Sequence, residues 1–142
     1  MKSRSISAIL LTLLLLSGCA VTRKVVGEAA GYSDLYYGEV VMDMAGSATM
    51  RVASKKSGVT CSGNARITHY GVSMWTCAGQ GGKFRSQCTD GRQIIGTYEV
   101  ETCDSGFGEG KDQDGNVFTF VFGLDEQEAE KRIKARQAQI AE

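Results

Sequence analysis

Between positions 36 and 123, short runs of Val, Ile, Thr and aromatic residues recur between glycine clusters, the pattern of half-buried strands joined by tight turns. This texture predicts strands over 36–44, 48–54, 65–70, 72–77, 83–88, 94–101, 107–111 and 117–122. Eight short strands imply an all-β fold, a small antiparallel sandwich or barrel. Val40, Met42 and Met44 fall on one face, Met50 and Val52 repeat at period two, and Ala45-Gly46 between them reads as a hairpin turn. Asp114-Gly115 reads as a second tight turn. After it, Phe118, Phe120 and Phe122 alternate onto one face and Val117, Thr119 and Val121 onto the other, so the last strand is expected to be buried on both sides.

Beyond Gly123 the period becomes helical, and a C-terminal α-helix is expected within 124–142. Asp125 can cap it with Glu128 three residues on, and Glu128 with Arg132 and Glu130 with Lys134 form favourable pairs one turn apart. Its apolar stripe is thin: Ala129, Ile133 and Ile140. Such a helix is marginal alone, so it either lies on the β domain or meets a partner. Residues 20–34 show neither strict alternation nor turn chemistry, and the expectation there is a tether, 19–35.

The first residues have a different texture again. Lys2 and Arg4 precede an apolar run from Ile6 to Leu16, too short for the roughly 20 helical residues that cross a bilayer. The run ends in Leu16-Ser17-Gly18-Cys19. Here the chain resembles the bacterial lipoprotein class, whose signal peptide closes on a Leu, two small residues and a cysteine. The resemblance implies removal of residues 1–18, acylation of Cys19 and a membrane anchor of several fatty chains, which together hold firmly where one would not. Ala20 stands where an Asp would favour retention in the inner membrane, so the implied address is the outer membrane.

Composition narrows the functional classes. The 16 Lys and Arg balance 16 Asp and Glu, and the pI near 6.6 gives no cationic excess, so nucleic acid is not an expected partner. Of 5 cysteines, Cys19 is assigned to lipid, and Cys61, Cys77, Cys88 and Cys103 remain in an oxidising compartment, where disulfides are the expected state. Short separations favour Cys61 with Cys77 and Cys88 with Cys103, although four cysteines allow three connectivities. No Cys-x-x-Cys knuckle exists, so neither a metal nor any other cofactor is expected. There is no proline, and the turns depend on glycine and Asx chemistry. Cys-Ser-Gly, Cys-Thr-Asp-Gly-Arg, Gly-x-Gly and a closing Phe-Thr-Phe-Val-Phe-Gly together resemble small glycine-rich exported β domains of bacterial envelope proteins. That resemblance, over about 37–123, implies architecture and no activity.

Reactive constellations are thin. His69, the single histidine, shares a strand face with Ile67 and has no Gly-x-Ser-x-Gly elbow to serve. Asp112-Gln113-Asp114-Gly115-Asn116 mimics a calcium loop, but Gly123 stands where the twelfth-position acid belongs. Gly106 to Lys111 mimics a phosphate loop without its spacing. Exposed aromatics at strand ends are the better lead, and Tyr36, Tyr37, Tyr70 and Trp75, with Ile133 and Ile140 of the helix, are candidate partner contacts. The expectation is a lipid-anchored, non-enzymatic binding or scaffolding module whose partner is an envelope protein or cell-wall component. A small inhibitor or ligand-binding lipoprotein, similar to lysozyme inhibitors only in size, anchor and β content, is the second expectation, and a cell-wall enzyme the third.

Overall fold

The structure, a computed structural model, describes residues 20–30, 33–71 and 76–140; Cys19, Tyr32 and Trp75 lie outside the described residues. Eight strands run in order: β1 (Val21–Ala29), β2 (Asp34–Met42), β3 (Ser47–Ser54), β4 (Thr60–His69), β5 (Gly81–Cys88), β6 (Gln93–Val100), β7 (Gly106–Lys111) and β8 (Val117–Phe122), followed by helix α1 (Glu126–Ile140). Each strand pairs antiparallel with the next, and β1 pairs with β8 to close an up-and-down barrel. Of the two architectures expected, the barrel is the one formed.

The eight strands are not quite the eight expected. Residues 20–34, read as a tether, contain β1, which carries the closure by pairing with β2 along its whole length and with β8 from Val25 to Ala29. Its sequence hides the alternation because Val25 faces the barrel core while Val26, its neighbour, is buried on the outside under α1. β4 begins at Thr60, earlier than the expected 65, its first half being the β-poor Cys-Ser-Gly-Asn. Of the expected strand over 72–77, residues 72–75 lie outside the described set and Thr76 and Cys77 are not in a strand.

The register fixes the width of the barrel. Partners followed once around from Val21 run through Met42, Ala48, Ala65, Phe84, Gly96, Gly110 and Phe118 and return to β1 at Ala29, a stagger of eight residues. About eight strands with that stagger enclose a space that side chains can just fill. Phe118, Phe120, Phe122, Phe84 and Tyr36 fill it, meeting edge to face or tilted with ring centroids 5.1–6.4 Å apart. They fit because glycines occupy the neighbouring strand beneath the rings. Gly106 and Gly108 of β7 stand in register with Phe122 and Phe120 of β8, and a side chain on either glycine would collide with the ring facing it.

Helix α1 lies on the outside of the barrel. Ala129 and Ile133 are buried against Val26 of β1 and Val121 of β8, with Tyr37, Phe107 and Leu124 at the margin. Asp125 caps the helix, accepting the backbone N–H of Glu128 at 3.0 Å. The Tyr37 hydroxyl donates to Glu130 at 2.7 Å, Arg132 pairs with Glu101, and Arg136 lies over the Phe107 ring. The helix therefore docks on its own domain, and β8 is buried on both faces, as its sequence implies.

Two disulfides staple the barrel, Cys61–Cys88 and Cys77–Cys103. This corrects the pairing expected from short loops. Cys61 and Cys88 are register partners on neighbouring strands, whereas Cys77 and Cys103 sit in the β4–β5 and β6–β7 connections, which the meander brings to the same end.

Candidate functional site

The interior offers little room. Its one apolar cavity of note among the described residues has a volume of about 40 Å³, bounded by Val40, Met42, Met50, Phe84, Tyr98 and Phe120 among others. A benzene-sized ligand needs a cavity of about 150 Å³. The far end, where β1, β3, β5 and β7 finish, is plugged by the buried polar residues Asp34, Ser54 and Arg92, which are satisfied by one another and by their neighbours. Ser54 and Ser57 donate hydroxyl hydrogens to Asp34 at 2.6–2.8 Å. Arg92 donates to the Tyr36 hydroxyl at 2.6 Å and to Asp90 at 2.7 Å. Burial alone would lower the basicity of Arg92, but these two bonds outweigh it and hold the guanidinium firmly charged.

Asp112 belongs to the same end. Burial would raise its pKa, but the side-chain amide of Asn116, the backbone N–H groups of Asn116 and Asp114, and nearby Arg92 together hold it below the ordinary carboxylate value. Its contacts make it the lock of the β7–β8 turn, where Gly115 adopts φ 84°.

The outer wall opposite α1 is different. Along β4 to β7 the register lays Asn64, Arg85, Ile95 and Lys111 in one row, and Arg66, Lys83, Thr97 and Glu109 in the next. Arg66 and Lys83 thus stand directly opposite one another, a like-charge pairing that destabilises a sheet. Neither they nor Arg85 pair with an acid among the described residues. The nearby Asp43 is occupied, accepting the backbone N–H groups of Ala45 and Ser47 at 2.9 Å. Ile95, 53% exposed, sits between Arg85 and Lys111. A shallow groove of about 580 Å³ runs over this wall from Asp43 and Thr49 across Asn64, Arg66, Lys83 and Arg85 to Ile95. An unpaired cationic face with one apolar centre can take an anionic surface; it contains no nucleophile paired with a base.

The residues expected at a contact surface distribute unevenly. Tyr36 is 1% and Ile133 0% exposed, so both are core and unavailable to a partner. Tyr37 is engaged by α1 and by Lys55, whose ammonium lies 4.0 Å from its ring centroid. Tyr70, 69% exposed, remains on the surface. Trp75 and the side chain of Ile140 lie outside the described residues. His69 is exposed at the end of β4. The cationic wall was missed, although its signal, Arg66, Lys83 and Arg85 at alternate positions of two successive strands, stands in the sequence.

No protein-family model and no curated protein matches the chain. Among solved structures it is similar to a de novo designed fluorescence-activating β-barrel, with TM-score 0.50 and 22% identity over 73% of this chain and 91% of that one. A redesigned β-barrel gives TM-score 0.50 and 13% identity over 74% of this chain and 90% of the other. These likenesses show the closed barrel fold alone.

Proposed function

We propose that this protein is a lipid-anchored, non-enzymatic binding module of the bacterial outer membrane, which contacts an anionic envelope component through the outer wall of β4 to β6. The observation that carries the reading is the cluster of Arg66, Lys83 and Arg85 around the exposed Ile95, on a barrel whose interior is filled. Like charges held face to face cost stability, and an anionic partner offsets that cost. The filled interior disfavours a carrier of internal ligands, and the docked helix disfavours α1 as the partner surface. The anchor rests on the Leu16-Ser17-Gly18-Cys19 motif.

Co-sedimentation of the lipidated protein with isolated envelope material tests the contact surface. Binding should weaken as salt rises, because exposed charges are screened. It should be lost in the combined Arg66→Glu, Lys83→Glu and Arg85→Glu variant while the protein stays folded by circular dichroism. Binding that is indifferent to both would overturn the reading.

A further inference from the structure

We propose that the end of the barrel at which β1 begins is seated on the bilayer, with Met44 and Tyr70 in the headgroup region, so that the protein is a membrane-resting body and not one held off on a tether. The proposal rests on the lipoprotein reading of Cys19. Cys19 is two residues from Val21, where β1 starts. An extended chain spans at most about 3.6 Å per residue, so the acylated position lies within about 7 Å of the barrel rim. The slack expected from residue 20 onward is not there, because β1 occupies Val21–Ala29. An anchor that short brings this end to the membrane.

The chemistry of the end agrees with that placement. Of the four large apolar residues exposed among the described residues, three belong to it: Val21 at 40%, Met44 at 86% and Tyr70 at 69%. Met44 is in the β2–β3 turn and Tyr70 directly follows β4, both at the rim where Val21 enters. Three acids of this end are engaged, while Glu99, level with His69 and Gly81, is exposed. Asp43 accepts two backbone N–H groups, Glu101 is paired with Arg132 from α1, and Asp104 is paired with Arg23. Arg66 and Lys83, unpaired, stand on the wall just above. Apolar tips at the rim and unpaired cations above them form the profile of a surface lying in a bilayer interface with anionic lipids.

Methionine oxidation tests this with the full lipidated chain in vesicles of mixed zwitterionic and anionic phospholipid. A Lys56→Met substitution supplies an exposed reference at the opposite end, in the β3–β4 turn. On treatment with dilute peroxide, Met44 should oxidise several-fold more slowly than the introduced methionine. The combined Tyr70→Asp and Val21→Asp variant should bring the two rates together while the protein still floats with the vesicles. Equal rates in the protein with the native rim, when it floats with the vesicles, would overturn the seating. Protection of Met44 in intact cells but not in the purified vesicles would also overturn it, by showing that a protein covers this end. Failure to float, with no acyl mass on Cys19, would instead remove the lipoprotein reading itself.

Discussion

Phe120 and Gly108 show at single-residue resolution how this chain encodes a filled barrel. The two are register partners on β8 and β7, and the phenyl ring occupies the space that a side chain at position 108 would claim. Gly108→Ala should therefore overpack the core and destabilise the protein by about 1–3 kcal/mol. A shift in the denaturant midpoint with unchanged slope measures this. Adding Phe120→Leu should recover part of the loss, giving a coupling that independent sites would not show. The aromatic half of the device was legible, since Phe118, Phe120 and Phe122 alternate plainly. The glycine half was legible as a strand over 107–111, but which rings Gly106 and Gly108 face depends on the register with β8, which the sequence alone does not reveal.

Among the elements, the C-terminal helix and β1 explain each other. Val26 and Val121 are buried only because α1 covers them, and that double burial erased the alternation by which β1 would have been recognised. The disulfides were misread for a related reason: chain separation favoured adjacent cysteines, whereas hairpin register pairs Cys61 with Cys88 across 27 residues. Loops of that size stabilise by roughly 3–4 kcal/mol each. Non-reducing peptide mapping should recover Cys61 joined to Cys88 and Cys77 joined to Cys103; a Cys61–Cys77 peptide would contradict the topology. Docking of α1 also predicts an alkaline response. Burial against the helix, then the hydrogen bond to Glu130 and its charge, pushes the Tyr37 pKa from 10.0 up to about 12. The folded value lies above the unfolded one, so the Tyr37 contribution is complete below pH 10 and is lost as pH rises toward 12. Helix ellipticity should fall along with the appearance of phenolate absorbance, and Tyr37→Phe should uncouple the two.

The whole molecule divides into a full interior, a helix-covered side and a bare cationic side. Sequence pattern alone fixes the class, all-β with a terminal helix, but charge position on a closed sheet depends on register, which no single strand reveals. Arg66, Lys83 and Arg85 become a cluster only when β4 and β5 are aligned and their outward faces are known. The claim that this outer wall is where the protein binds is tested most directly by a photo-crosslinking residue in place of Ile95 in intact cells, with the same residue at Lys56 as the reference. Adducts should form at position 95 and disappear when Arg66→Glu and Lys83→Glu are added. Adducts only at position 56, or adducts at 95 that survive the charge reversal, would contradict the account.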